Sequence, residues 1–281
     1  MTETFRNIRR QLAGIFSENE IRSLTRIIAE EVCGIPYHQL PVDKDKQISE
    51  NEKQEIDRIV QRLKRSEPIQ YILGEAPFYD LTFTVSPAVL IPRPETEELT
   101  EHIIRAHAGR EIDLLDIGTG SGCIAVTLAR HLPEARVTAT DISAEALRIA
   151  RKNASRHCAG VRFVRADILE PSAAGKIPGK YDVIVSNPPY VLESEKAEME
   201  PNVLDYEPAE ALFVPDSDPL RFYRAIARLG KQKLNAGGFL YFEINARFGA
   251  ATAALLEQEG YRSIRLISDL SGKDRIIEAQ R

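Results

Sequence analysis

From residue 112 onward the chain alternates short apolar runs with segments of helical spacing, and this alternation restricts its fold more than any other feature. The runs fall at 112–117, 136–141, 161–166, 181–186, 239–244, 263–267 and 275–279. Strands separated by helices come back into the sheet as parallel neighbours, so the pattern predicts an α/β fold: a mostly parallel sheet covered on both faces. The last two runs are joined only by 268–273, too short for a crossover helix, and are expected to pair antiparallel.

The first 70 residues carry a different period. Phe5, Ile8, Leu12 and Ile15 recur at three- to four-residue spacing, as do Ile21, Leu24, Ile28 and Val32, and then Ile56, Ile59, Val60 and Leu63. Each set predicts one apolar face of a helix. Ser17 with Glu20, and Ser49 with Glu52, have the spacing of capping boxes, and Pro36 and Pro41 break the chain between helices. The result is a small helical bundle with too little core to be very stable alone. At 78–85 the period changes to two, with Tyr79, Leu81, Phe83 and Val85 alternating with polar residues, as in a half-buried strand. Pro87, Pro92 and Pro94 then exclude a regular helix over 86–95, which places a connector at 75–93. Three segments follow: a helical domain at 1–74, the connector at 75–93 and an α/β domain at 94–281. A length of 281 residues suits two modest domains.

Composition removes several classes of function. The net charge is −5, with 12 basic against 14 acidic residues in the first 80 and 25 against 28 in the rest, so neither part is a basic domain for gripping long nucleic acid. Cys33, Cys123 and Cys158 are far apart and odd in number, without the spacing of a zinc site or a disulfide framework. The N-terminal residues lack the apolar stretch of a signal peptide, and no run approaches the roughly 18 apolar residues of a membrane span. A soluble cytoplasmic protein with no metal and no membrane partner is expected.

The first strand of the α/β part ends in Asp116-Ile117-Gly118-Thr119-Gly120-Ser121-Gly122, and a helix follows. Glycines at such a turn let the backbone approach a ligand where a Cβ would intrude. The spacing is GxGxG, because Cys123 stands where a dinucleotide fingerprint has its last glycine. Asp141, 21 residues after Gly120, ends the second strand and is placed to accept hydrogen bonds from a ribose diol. Asp167 closes the third strand, where its carboxylate and the next side chain, Ile168, can meet an adenine. Asp116, Asp141 and Asp167 at three successive strand ends fall on one edge of a parallel sheet, where open α/β folds bind ligands. The set resembles the S-adenosylmethionine site of class I methyltransferases, a nicotinamide enzyme remaining the alternative at this point.

The fourth strand ends in Asn187-Pro188-Pro189-Tyr190. Two consecutive prolines fix φ and remove two backbone donors, so the turn presents a side-chain amide and carbonyl oxygens as a rigid acceptor site. A planar NH2 group conjugated to a carbonyl or ring fits it, with its N–H groups on the Asn187 side-chain oxygen and the Pro188 carbonyl. Its lone pair is delocalised and unreactive. Positive charge developing on that nitrogen during methyl transfer strengthens both hydrogen bonds, which makes the stabilisation differential. Tyr190 offers an aromatic face over the planar group.

Together with Pro68-Ile69-Gln70-Tyr71-Ile72-Leu73-Gly74, Ile91-Pro92-Arg93-Pro94-Glu95-Thr96-Glu97, Tyr206-Glu207-Pro208, Phe222-Tyr223-Arg224 and Gly272-Lys273-Asp274-Arg275, these motifs make nearly the whole chain resemble the release factor glutamine methyltransferases, the HemK or PrmC family. The resemblance implies a class I S-adenosylmethionine-dependent methyltransferase with a Rossmann-like seven-stranded sheet, a connector that contains a β-hairpin and a small N-terminal helical bundle. It implies methylation of the side-chain amide nitrogen (N5) of the glutamine in the Gly-Gly-Gln motif of peptide chain release factors, with residues 1–74 contacting the release factor. Carried over by position, Gly118, Thr119, Gly120, Ser121, Gly122, Asp141, Asp167, Ile168 and Asn187 are expected to hold the cofactor, Asn187, Pro188, Pro189 and Tyr190 the glutamine, and Asn187, Pro188 and Tyr190 to act in catalysis. The same chemistry on a ribosomal protein glutamine or on a nucleic-acid exocyclic amine is permitted by the four-residue motif alone, and a non-catalytic docking module is the remaining class.

The chain departs from the family pattern in three places. Ile168 stands where an aromatic can sit, Asn245 with Arg247-Phe248 replaces an expected Gly and Gln, and Pro215 and Pro219 interrupt a segment that usually carries glycines. Arg93 and Glu95 face the expected cleft mouth. The acidic run Glu193, Glu195, Glu198 and Glu200 reads as a solvated face, and His102, His107, His131 and His157 are assigned no chemistry.

Overall fold

A computed structural model describes residues 2–36 and 48–281, so the break predicted at Pro41 lies outside the described residues. The helices are α1 (Thr2–Leu12), α2 (Glu18–Cys33), α3 (Glu50–Leu63), α4 (Ile69–Leu73), α5 (Pro94–His107), α6 (Cys123–His131), α7 (Ala144–Arg156), α8 (Ala173–Lys176), α9 (Pro201–Leu204), α10 (Ala209–Leu212), α11 (Arg221–Lys233) and α12 (Gly249–Gln258). The strands are β1 (Glu75–Phe78), β2 (Leu81–Thr84), β3 (Asp113–Ile117), β4 (Arg136–Asp141), β5 (Val161–Arg165), β6 (Tyr181–Ser186), β7 (Val191–Leu192), β8 (Phe213–Val214), β9 (Leu234–Glu243), β10 (Arg262–Ser268) and β11 (Asp274–Gln280).

Two compact units make up the described chain: residues 1–73 with 200–206, and 74–199 with 207–281. In the first, both capping boxes form, the Ser17 and Ser49 hydroxyls each accepting the N–H three residues on while Glu20 and Glu52 reach back to the cap N–H. Ile8, Leu12, Ile28, Ile56, Ile59 and Leu63 interlock as its core. Ile15 does not join the face predicted for it. Gly14, at φ +84°, turns the chain out of α1 and leaves Ile15 exposed. The segment 200–206, distant in sequence, belongs to this unit, where the Tyr206 hydroxyl donates to the Arg65 carbonyl at 2.8 Å.

The period-two stretch at 78–85 is a hairpin where the alternation alone predicts one strand. β1 and β2 pair antiparallel with Phe78 opposite Leu81, and Tyr79, at φ +58°, makes the two-residue turn with Asp80. Phe78 and Phe83 are buried and meet edge to face. Pro94 starts α5 from its first turn, where a missing N–H costs nothing, so the helix begins inside the stretch that the prolines were expected to keep irregular.

The central sheet has seven strands in the order β10-β11-β9-β6-β3-β4-β5. Strands β9, β6, β3, β4 and β5 run parallel, and β10 and β11 pair antiparallel as the short connection requires. Consecutive strand residues enter opposite cores. Leu114, Val183 and Tyr241 pack under Leu99 and Ile103 of α5 and Ile124 and Leu128 of α6, whereas Leu115, Ile184 and Phe242 pack under Tyr223 and Ile226 of α11 and Leu256 of α12. β3 lies between β4, which follows it, and β6, which comes after β5, so strand order reverses there and leaves a crevice at the carboxyl ends of the strands. Among the described residues no helix is long and apolar enough to cross a membrane.

Candidate active site

A cavity of about 490 Å³ opens at that crevice. Its wall includes Gly118, Thr119, Gly120 and Ser121 after β3, Asp141 at the end of β4, Asp167 and Ile168 after β5, and Asn187, Pro188 and Pro189 after β6. These ten residues, expected at one ligand site, are brought together. Gly122 and Tyr190 do not line it.

The glycine turn is held by its own backbone. The Gly118 and Thr119 N–H groups donate to the Thr140 carbonyl at 2.8 and 3.0 Å, and the Gly120 N–H to the Asp141 carboxylate at 2.9 Å. Gly120 has φ +55°, and a Cβ on it would meet no protein atom within 4 Å, so it would stand in open space at the cavity wall. Gly122 is required for another reason: a Cβ there would press on the Ala150 Cβ at 3.1 Å, so it sets the approach of α7. Asn153 of α7, fully buried, secures the turn from behind by donating to the Ser121 carbonyl at 2.8 Å while exchanging hydrogen bonds with Thr84 of the hairpin.

Of the three strand-end acids, two reach the cavity. The Asp141 carboxyl is raised by burial and held back by the N–H groups of Ser143, Gly120 and Ile142, and Asp167 accepts the Leu169 N–H at 2.8 Å. Asp116 is a correction to that expectation. Its side chain is fully buried beneath the turn, where Oδ2 accepts the Thr119 hydroxyl at 2.6 Å and Oδ1 has no hydrogen-bond partner among the described residues. Burial pushes its carboxyl up to about 7.

Asn187 Nδ2 donates to the Thr96 hydroxyl at 3.1 Å, and Thr96 donates to Glu243 Oε2 at 2.6 Å. Tyr190 donates its hydroxyl to Glu243 Oε1 at 2.9 Å, and its ring packs on buried core residues. Burial pushes both the Tyr190 hydroxyl and the Glu243 carboxyl up. Glu207, nearly fully buried, accepts the Ile91 N–H and pairs with Arg93 of the cavity wall, which joins the connector to the segment before α10.

The departures fall mostly outside the cavity. Ile168 lines it, while Asn245 donates to the Tyr190 carbonyl at 3.3 Å and accepts the Arg247 N–H, capping a short turn at 246–248. Pro215 opens a turn closed by the Asp218 N–H. The acidic run is more than a solvated face: Glu195 accepts the Leu192 N–H at 2.9 Å and pairs with Arg247. Thr96, Asn153, Glu207 and Glu243 carry no sign of these roles in sequence. Arg93, expected at the cleft mouth, lines the cavity while Glu95 does not, and Ile142, a half-exposed apolar side chain directly after Asp141, adds to the wall.

This sheet order, with a cavity at the reversal point walled by a glycine turn and acids, defines a Rossmann-like methyltransferase. A methyltransferase from Pyrococcus furiosus has the same fold, with a TM-score of 0.54 and 21% identity over 80% of this chain and 98% of that one. The family model described as Methyltransferase small domain matches residues 95–204, and that described as PrmC N-terminal domain matches residues 3–74. Release factor glutamine methyltransferases of Bacteroides thetaiotaomicron (50% identical, 98% of each chain) and Flavobacterium psychrophilum (44% identical, 95% of this chain and 94% of that one) are similar along nearly their whole length. The chain belongs to the release factor glutamine methyltransferase family.

A methyltransferase domain implies S-adenosylmethionine, and the residues present fit it. Open space beside Gly120 admits a ligand against backbone, Asp141 keeps acceptor lone pairs at the wall, and Ile142 and Ile168 give apolar contact for a ring. Ser121 and Thr140 add buried hydroxyls with no partner among the described residues.

Proposed function

We propose that this protein transfers a methyl group from S-adenosylmethionine to the side-chain amide nitrogen (N5) of the glutamine in the Gly-Gly-Gln motif of peptide chain release factors, acting in the cytoplasm. The observation that carries the reading is the Asn187 amide. Asn187 lines the cavity and its NH2 end is tied to Thr96, which leaves its oxygen to accept an N–H.

The donor supplies a methyl group already activated on a sulfonium, and we assign no metal to the reaction. Gly118, Thr119, Gly120 and Ser121 would cradle its amino-acid part, Asp141 would accept hydrogen bonds from its ribose hydroxyls, and Asp167 and Ile168 would meet its base. The Asn187 side-chain oxygen and the Pro188 carbonyl accept the two N–H groups of the glutamine, which fixes the plane of the amide and keeps water off its nitrogen. As positive charge grows on that nitrogen, those two acceptors hold it more strongly than they hold the neutral amide. Formation of the N–CH3 bond would break the S–CH3 bond and release S-adenosylhomocysteine, and the methylated nitrogen, acidic while cationic, would give its proton to solvent without a strong base. Pro188 and Pro189 keep the acceptors rigid, and Tyr190 holds the far end of the turn. Residues 1–74 recognise the release factor, 75–93 form the connector and 94–281 the methyltransferase domain. No direct nucleic-acid contact is part of the reading.

Peptide mass spectrometry of a release factor incubated with this protein and S-adenosylmethionine tests it. One methyl on the Gly-Gly-Gln glutamine is expected. No gain there, with label instead on a ribosomal protein or on RNA, would overturn the acceptor.

A further inference from the structure

Glu243 ends β9 with 0% exposure, and both of its oxygens are taken by hydroxyls from distant parts of the chain. Oε2 accepts Thr96 and Oε1 accepts Tyr190. The Thr96 hydroxyl has one proton, and it lies on Glu243. Toward Asn187, therefore, Thr96 can only accept. An Asn187 amide turned over would set its oxygen against the Thr96 oxygen, two acceptors in contact, so only one orientation is satisfied. In that orientation no donor reaches the Asn187 oxygen among the described residues.

We infer that Glu243 is a positioning residue: through Thr96 it selects the orientation in which the Asn187 oxygen is available to the cavity, and through Tyr190 it anchors the other end of the same turn. The inference rests on the proposed methyl transfer for its effect on turnover, though not for its geometry. Burial has the largest influence on the Glu243 carboxyl and pushes it up, while both hydroxyls are placed to donate to its oxygens. Burial and Glu95 of α5 oppose the charge, while the Thr96 and Tyr190 hydroxyls and Arg275 of β11 support it. The Tyr223 hydroxyl donates to the backbone carbonyl of Glu243 at 3.2 Å, which fixes the backbone from which the carboxylate extends.

Three variants test the relay. Thr96→Val keeps the shape and removes the hydroxyl; Thr96→Ser keeps the hydroxyl; Glu243→Gln can accept from only one of its two partners. The first readout is the side-chain amide signal of Asn187 in protein labelled with 15N at asparagine, assigned by its absence in Asn187→Ala. A downfield, slowly exchanging proton is expected in wild type and Thr96→Ser and not in Thr96→Val or Glu243→Gln. The second is kinetic: Thr96→Ser should stay within about threefold of wild type, and the other two should lose about tenfold to a hundredfold in kcat with S-adenosylmethionine affinity nearly unchanged. Thr96→Val with wild-type signal and turnover overturns the inference, as does Thr96→Ser failing as badly as Thr96→Val. If Glu243→Gln does not fold, the two Thr96 variants decide. If wild type itself methylates no release factor, the proposed acceptor fails, and the amide signal still decides the relay.

Discussion

The two walls of the cavity are made of different material. On the glycine side the surface is backbone, held by N–H groups on the Thr140 carbonyl and Asp141, and the buried acid beneath it, Asp116, has one oxygen without a partner. On the side of Asn187 the surface is a side-chain amide and proline rings, and the buried acid beneath it, Glu243, has both oxygens bonded. A backbone wall needs no rotamer to be chosen and asks only that space be kept clear. A side-chain wall has to be held in one of two amide orientations, and this demands partners. Binding a donor suits the first, and directing a reacting nitrogen suits the second.

Asn187→Ala should break the second wall with the largest effect. A loss of about a hundredfold to a thousandfold in turnover is expected, with a smaller loss of S-adenosylmethionine affinity by calorimetry; equal losses would make Asn187 a cofactor residue first. Asp116 tests the foundation of the first wall. Its carboxyl, at about 7 in the folded chain, ionises near 4 when unfolded. Between those values the folded chain keeps a proton that the unfolded chain has released, so this contribution to stability is complete below about pH 4 and lost as pH rises through 7. Asp116→Asn should flatten the urea-derived stability profile over that range by on the order of 4 kcal/mol, and an unchanged profile would place the ionisation elsewhere. Gly120→Val adds a Cβ to a left-handed residue at the wall, and donor binding should weaken by about tenfold, more than kcat at saturating donor. Arg247→Ala lies beyond both walls. The Arg247–Glu195 pair is two-thirds exposed on the arginine side, so the melting profile should change by less than about 1 kcal/mol.

Periodicity made most of the fold legible because each strand buries both faces and each helix buries one. It gave the seven sheet strands to within a few residues, apart from β9, whose first half passes through Gly237 and Gly238 where the pairing with β6 shifts register. The β7–β8 pair and the turn at 193–198 are too short to have a period. At the site, Gly118 to Ser121, Asp141 and Asn187 could be read because strand ends in a parallel sheet share an edge. Thr96 and Glu243 could not: a hydroxyl in a helix and an acid closing an apolar run look like surface positions until the fold sets them 2.6 Å apart. Asp116 misled for the converse reason, since position at a strand end does not say which way a side chain is turned.

The span of the Glu243 contacts bears on the order in which the molecule is made. Thr96 and Asn187 are 91 residues apart, Tyr190 and Glu243 53, and Thr96 and Glu243 147. During synthesis the Asn-Pro-Pro-Tyr turn exists roughly 3 to 10 s before its carboxylate does, at about 5 to 20 residues per second. A nascent chain can complete the glycine turn and the helices around it and still present an undirected amide. On the proposed reading, the orientation of the Asn187 amide is therefore a property of late folding, acquired only when the ninth strand has joined the sheet beside the sixth.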